Sequence, residues 1–127
     1  IHQWTVAPEI RCTQEAVEFI RRNHERPFFL YLAHPMPHGE IVASPKYAGK
    51  SRRGVYGDAC QELDWSVGQI LDELARLGLD QRTVVVYASD NGAQEKNVNR
   101  EVPLLTKGSN TPLRGFKWPW EGASRVP

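Results

Sequence analysis

The sequence predicts an α/β chain built on a strand–helix–strand unit. Two continuous apolar runs, 28–33 and 83–88, are rich in aromatic or β-branched residues and short enough to be strands buried on both faces. Between them, apolar residues from Leu63 to Leu77 recur at helical spacing and form a single stripe. Because such crossovers join parallel neighbours in most cases, this order predicts the βαβ portion of a large mixed sheet flanked by helices.

A short amphipathic helix is predicted before this unit. It would begin at Thr13 as the N-cap, and the apolar residues Ala16, Val17, Phe19 and Ile20 then recur at near-helical spacing. The polar run 21–24 would end it.

The loop after the first strand carries two histidines, His34 and His38, among several prolines. Proline restricts the backbone, so an imidazole here would be held in place at low entropic cost. Rigid placement suits a catalytic acid or a contact to an anion. An isolated loop histidine is more often a surface or packing residue, and the pattern alone leaves both interpretations open.

The long central helix is predicted to end at Gly78, which is a natural C-cap. Its acidic residues are expected to form a solvated face: Asp58, Glu62, Asp64, Asp72 and Glu73.

The second strand ends in Ser89-Asp90-Asn91-Gly92. Adjacent carboxylate and amide oxygens suit Ca²⁺ or Mg²⁺ better than zinc or copper, although Asn-Gly is also a common turn sequence. Ca²⁺ takes about 6–8 oxygen ligands, so others would have to come from elsewhere. Parallel strands would bring this loop and the His38 loop to the same carboxyl edge of the sheet, where open α/β folds bind ligands.

A third polar segment, Gly108 to Lys117, places Arg114 and Lys117 beside residues that favour exposed backbone N–H groups. This combination can bind an oxyanion, or it can be a solvated loop. Beyond Asp90 the chain is expected to be loop with a short edge strand. Glu121 could orient Lys117 or cap a helix.

Composition excludes several classes of function. The 127 residues carry 16 basic and 15 acidic side chains mixed along the chain, which gives no case for a nucleic-acid partner. No apolar run approaches the roughly 20 residues of a membrane span.

Cys12 and Cys60 show no CxxC pattern, so the sequence leaves open two free thiols or one disulfide.

Taken in order, four segments resemble the sulfatase family, notably its arylsulfatase and N-acetylgalactosamine-6-sulfatase branches. They are 27–38, 56–68, 83–92 and 108–127, and the last contains Pro-Leu-Arg-Gly-Phe-Lys and Trp-Glu-Gly-Ala-Ser-Arg-Val-Pro. The resemblance implies an alkaline-phosphatase-like fold, with residues 1–127 as the central-to-late part of a single catalytic domain. It also implies a part in the hydrolysis of sulfate esters.

By position, the resemblance implies that Asp90 and Asn91 bind a divalent cation, Ca²⁺ rather than Mg²⁺. His38 would contact the sulfate and its leaving oxygen, and Lys117 would neutralise the sulfate. The family's nucleophile is a formylglycine made from a Cys-x-Pro-x-Arg sequence, which is absent here and is expected nearer the N-terminus of a longer parent. Phe116 and the stretch 118–120 depart from the family pattern.

The expected partners are a sulfated small molecule or carbohydrate and the remainder of the sulfatase domain. By resemblance the protein would be periplasmic, secreted or lysosomal. Two alternatives remain: a phosphodiesterase or phosphomutase of the same superfamily, and a non-catalytic scaffold module that lost the nucleophile. The isolated chain is expected to be inactive.

Overall fold

A computed structural model describes residues 8–38, 41–93, 108–115, 117 and 121–126. Contacts divide the chain into two compact units, Ile1–Thr83 and Val84–Pro127. The prediction that residues 1–127 belong to a single catalytic domain stays a prediction.

The described elements are helical. They are α1 (Pro8–Asn23), α2 (Gly54–Arg76), a 3₁₀ turn (Asp80–Arg82) and α3 (Glu121–Ser124). No helix within the described ranges is long and apolar enough to cross a bilayer.

Helix α1 begins earlier than predicted. Its first residue is Pro8, and proline is well suited to this position because the first helical N–H has no intrahelical acceptor. Thr13 is therefore an interior residue, and its prediction as the N-cap was wrong. Its hydroxyl oxygen lies 2.6 Å from the backbone oxygen of Glu9 and 2.6 Å from Ser66 Oγ, so it joins α1 to α2.

The predicted end of α2 is confirmed. Gly78 has a φ of 68°, and its N–H donates to the backbone oxygen of Ala75 at 3.0 Å. The N–H of Leu79 donates to the backbone oxygen of Leu74 at 2.9 Å, which completes a Schellman motif. Leu74 and Leu79 then pack with Ile20 of α1 in the core of the first unit, with Phe28 and Leu30 against them.

The two predicted strands are not confirmed. None of the described residues belongs to a strand, and the outer faces of both apolar runs are open. In 28–33 exposure alternates with a period of two, and Phe29 and Tyr31 are 87% and 80% exposed. In 83–88 almost every side chain is exposed, with Val84 at 91%. A buried strand needs neighbours to pair its backbone and cover its faces, and the described residues provide none.

The region after Asp90 also differs from expectation. A short helix, α3, forms at Glu121, and the described residues there contain no edge strand. Glu121 is the first residue of α3 and forms an ion pair with Arg125 at 3.6 Å. The predicted alternatives for Glu121, to orient Lys117 or to cap a helix, stay predictions.

The acidic residues of α2 do not form one solvated face. Asp64 and Asp72 are exposed, whereas Asp58, Glu62 and Glu73 are only 3%, 1% and 6% exposed. Each buried carboxylate accepts hydrogen bonds, as buried charges must if their burial is not to be costly.

Asp58 shows how such a carboxylate organises the chain. It accepts hydrogen bonds from the backbone N–H groups of Gly49, Lys50 and Ser51 at 2.8, 3.1 and 2.7 Å. The bonds from Ser51 and Gly49 contribute most to lowering the pKa of Asp58. The loop before α2 is thereby fixed to the helix.

Candidate active site

The histidine loop lies in the first unit and is held by Glu9, the second residue of α1. Glu9 is 1% exposed. Its Oε1 accepts a hydrogen bond from the N–H of Met36 at 2.9 Å, and its Oε2 lies 2.6 Å from Nδ1 of His34. His38 is exposed, and its N–H donates to the backbone oxygen of Pro35 at 3.3 Å. The two histidines therefore differ, since His34 is bound to the scaffold and His38 faces solvent.

The Asp90–Asn91 turn lies in the second unit. Ser89 Oγ donates to the backbone oxygen of Asn91 at 2.7 Å, which shapes the turn from within. Asp90 is exposed and Asn91 is half-buried. Gly92 is buried, and its N–H donates to the backbone oxygen of Ala123 in α3 at 3.0 Å.

Asn110 connects this turn to the segment that leads to Lys117. Its Oδ1 accepts a hydrogen bond from the N–H of Ala93 at 2.7 Å, and its Nδ2 donates to the backbone oxygen of Gly115 at 3.0 Å. The N–H of Lys117 donates to the backbone oxygen of Ala93 at 3.1 Å. Both predicted site segments of the second unit thus meet at Ala93.

Helix α3 packs closely against the backbone of Arg114 and Gly115 in the same unit. The N–H of Gly122 donates to the backbone oxygen of Arg114 at 2.9 Å. A Cβ at position 122 would lie 2.7 Å from the backbone oxygen of Gly115, so only glycine allows this approach without displacement.

The Asp90–Asn91 turn offers oxygen atoms of the type that bind hard cations. Asp90 and Asn91 offer a carboxylate and an amide oxygen, which are ligands that Ca²⁺ prefers. Two side chains are a small part of a shell of about 6–8 oxygens. Within the ranges that the structure describes, no group of three or more His, Cys, Asp or Glu side chains could hold a metal ion. By their chemistry, these two residues could therefore supply only part of such a shell.

Neither cysteine has the surroundings of a nucleophile. Both are free thiols, which resolves the alternative that the sequence left open. Burial raises the pKa of Cys12, and the negative charge of Glu9 raises it further. Burial also raises the pKa of Cys60. A raised pKa lowers the thiolate fraction, and the thiolate is the reactive form.

The structure brings some predicted site residues together. Asp90, Asn91 and the backbone of Lys117 belong to one hydrogen-bonded unit. His38 belongs to the first unit, so a site shared by His38 and Asp90 stays a prediction. Phe116 and residues 118–120 lie outside the described residues.

Glu9 and Asn110, which organise the two loops, were not among the predicted site residues. Glu9 carried a weak signal, because an acidic residue directly after a proline suits the first turn of a helix. Asn110 carried none beyond its place in a Gly- and Pro-containing segment. Both act through hydrogen bonds to backbone groups distant in sequence, 27 positions away for Glu9 and 17 for Asn110.

Comparisons with known proteins agree with the motifs. The family model described as Sulfatase matches residues 8–127. The chain is 46% identical over 118 residues to steryl-sulfatase of Homo sapiens, covering 92% of this chain and 20% of that protein. It is 45% identical over 117 residues to N-acetylgalactosamine-6-sulfatase of Rattus norvegicus, covering 90% and 21%.

A further relative is arylsulfatase H of Homo sapiens, which is 38% identical over 116 residues, covering 90% of this chain and 20% of that protein. The chain spans about a fifth of the length of these curated relatives. The resemblance predicted from the motifs is confirmed, and the chain belongs to the sulfatase family.

Proposed function

We propose that this chain is part of a sulfatase that hydrolyses sulfate esters. Asp90 and Asn91 are two ligands of a Ca²⁺ ion, Lys117 neutralises the sulfate, and His38 protonates the leaving oxygen. The observation that carries the proposal is the 3.1 Å hydrogen bond between Lys117 N–H and the backbone oxygen of Ala93, in a chain of the sulfatase family. This hydrogen bond joins the backbone of Lys117, the lysine proposed to neutralise the sulfate, to Ala93, which closely follows the proposed metal ligands Asp90 and Asn91.

The metal ligands and the lysine have complementary tasks. Ca²⁺ would supply fixed positive charge beside the sulfate oxygens, where negative charge accumulates. Asp90 and Asn91 hold their part of its shell on a turn braced by Ser89 and by α3. The Lys117 ammonium would add a second cation, and the hydrogen bond of its N–H to Ala93 holds its backbone beside the turn.

His38 has a separate task, which is to donate a proton. An ester oxygen that leaves as an alkoxide needs a proton, and an imidazole can supply one near neutral pH. Its exposure in the described residues leaves the ring accessible to a substrate.

The nucleophile is proposed to lie outside this chain. By family resemblance it is a formylglycine, and the 127 residues contain no Cys-x-Pro-x-Arg sequence. Raised thiol pKa values argue against Cys12 and Cys60 as substitutes. The isolated chain is therefore expected to have no sulfatase turnover.

We further propose that segments 28–33 and 83–88 are strands of an alkaline-phosphatase-like sheet in the longer protein. Support comes from the family and from the alternating burial of 28–33, which leaves one apolar face open for another layer. The substrate is a sulfated small molecule or carbohydrate, in keeping with relatives named for steryl and N-acetylgalactosamine-6 sulfates.

The test uses a full-length enzyme that contains this chain and compares an aryl sulfate with an aryl phosphodiester. We expect sulfate hydrolysis that is lost with a chelator and restored better by Ca²⁺ than by Mg²⁺. His38→Ala should lower kcat by about 10²–10⁴-fold. The matched control is His24→Ala, an exposed histidine bonded to the backbone oxygen of Arg21, which should leave kcat unchanged.

Each failure has a distinct meaning. Near-normal turnover in His38→Ala would exclude its role as the acid. Preference for the phosphodiester would favour the phosphodiesterase or phosphomutase alternative. Absence of hydrolysis of either substrate would favour the non-catalytic scaffold.

A further inference from the structure

Glu9 is a buried carboxylate that the proposed chemistry does not use. It is 1% exposed, yet both of its oxygens are engaged by the loop that carries His38. We propose that Glu9 is a positioning residue, which orients His38 by holding the backbone of the 34–38 loop on α1. This inference rests on the proposed function for the catalytic role of His38.

The two contacts of Glu9 fix the loop at two points. Oε1 accepts a hydrogen bond from the N–H of Met36 at 2.9 Å, and Oε2 lies within hydrogen-bond distance of His34 Nδ1, at 2.6 Å. A charged acceptor makes hydrogen bonds about twice as strong as neutral ones. Because the side chains of His34 and Glu9 are largely buried, solvent screens the interaction between them only weakly.

The carboxylate itself sits on a rigid support. Glu9 lies in the first turn of α1, where a negative charge is favourable. The backbone oxygen of Glu9 is bonded to the hydroxyl of Thr13, which in turn contacts Ser66 of α2 at 2.6 Å. The position of the carboxylate is therefore set by the packing of two helices.

The hold on Met36 reaches His38 through a turn. The N–H of His38 donates to the backbone oxygen of Pro35 at 3.3 Å, and this bond closes a four-residue turn in which Met36 is the second residue. Fixing the N–H of Met36 thus orients the peptide plane that enters the turn. Among the described residues, none forms a hydrogen bond with the His38 side chain that would take over this task, so the direction of the imidazole depends on the turn.

A second buried carboxylate, that of Glu62, allows a positioning role of Glu9 to be distinguished from a purely structural one. Glu62 is also 1% exposed, and its Oε2 accepts the N–H of Ser44 at 2.8 Å. It braces a later part of the same connection between α1 and α2, because Ser44 lies six positions after His38 and does not belong to the 35–38 turn. Removing Glu62 should therefore cost stability as removing Glu9 does, without specific effect on the histidine.

The experiment compares Glu9→Ala, Glu9→Gln and Glu62→Ala in a full-length enzyme that contains this chain. One measurement is amide hydrogen exchange at Met36, and the other is kcat and KM for an aryl sulfate at a temperature where all variants are folded. Glu9→Ala should raise exchange at Met36 and lower kcat by about tenfold to hundredfold, with a smaller change in KM. Glu9→Gln keeps an oxygen acceptor for Met36 and should recover most of kcat. Glu62→Ala should leave exchange at Met36 and kcat within about twofold of wild type.

Three results would overturn the proposal. One is unchanged exchange at Met36 and unchanged kcat in Glu9→Ala. Another is a loss of kcat in Glu62→Ala as large as in Glu9→Ala, which would indicate general destabilisation. The third is a loss in Glu9→Gln as large as in Glu9→Ala, because the charge and not the hold on the backbone would then matter. If Glu9→Ala does not fold, the proposal is tested with Glu9→Gln and His34→Ala. His34→Ala removes one of the two contacts of Glu9 with the loop, so it should lower kcat by less than the tenfold to hundredfold expected for Glu9→Ala.

These outcomes are distinguishable from failure of the proposed function. If the wild-type enzyme does not hydrolyse sulfate esters, exchange at Met36 still reports whether Glu9 holds the loop. If sulfate is hydrolysed and His38→Ala is inactive while Glu9→Ala is normal, only the positioning role is lost.

Discussion

Replacing Gly92 with alanine is expected to displace the Asp90–Asn91 turn from α3. Gly92 is buried directly after the proposed metal ligands. A Cβ there would overlap the backbone oxygen of Gly122 and lie 2.7 Å from its carbonyl carbon, whereas ordinary contacts begin near 3.4 Å. Both atoms belong to backbone, so neither can rotate away as a side chain would.

The size of the displacement follows from these distances. The carbon contact alone requires a shift of at least about 0.7 Å, and the oxygen contact requires more. Forced overpacking of this kind costs about 1–3 kcal/mol of stability. A misplacement of about 1 Å near a reacting centre can lower turnover by about 10²-fold. We therefore expect Gly92→Ala to weaken Ca²⁺ activation and to lower kcat/KM by up to about 10²-fold.

The assay uses a full-length enzyme that contains this chain, and it measures kcat/KM against Ca²⁺ concentration and the midpoint of urea unfolding. The control is Gly68→Ala, because a Cβ at this helical position meets nothing within 4 Å. Alanine there should raise stability by about 0.5–1 kcal/mol and leave Ca²⁺ activation unchanged. Wild-type stability and Ca²⁺ response in Gly92→Ala would refute the close packing of this turn on α3.

Three further predictions concern the first unit. Hydrogen bonds from Arg76 and Arg21 lower the pKa of Glu73 from 4.5 to about 2, so its stabilising contribution is complete above about pH 4.5 and is lost as the pH falls towards 2. Thermal unfolding from pH 6 to about pH 2 should therefore show a steeper loss of Tm in wild type than in Glu73→Gln, and parallel curves would contradict this cause. Ile20→Ala should lower the free energy of unfolding by about 2–5 kcal/mol, because Ile20 is 1% exposed in the core, and a loss below about 1 kcal/mol in urea titration would show that the core is not packed as described. Phe29→Lys should reduce self-association of the isolated chain in light scattering, because Phe29 is 87% exposed beside other apolar side chains, and a monodisperse wild-type chain would remove the basis for this expectation.

Structural features that depend on neighbouring residues in the sequence could be predicted from the sequence. The end of α2 could be predicted because Gly78 follows a helical stripe and only glycine adopts its positive φ at low cost. The apolar stripe from Leu63 to Leu77 was predicted less well, because Leu71, which lies in it at helical spacing, is 44% exposed. Helical spacing gives a direction around the axis, but the neighbouring elements decide which part of that face is covered.

The sequence by itself determined the family, because ordered motifs such as Ser-Asp-Asn-Gly carry that information without coordinates. It also predicts which residues have suitable chemistry for a cation and an oxyanion, and these assignments stay predictions. Only the tertiary structure decided that Glu9, Glu62 and Asn110 serve as braces for loops distant in sequence. The physical reason is that a carboxylate or amide is stable in the interior only when specific donors and acceptors arrive from other segments, and residue type alone does not reveal which segments those are.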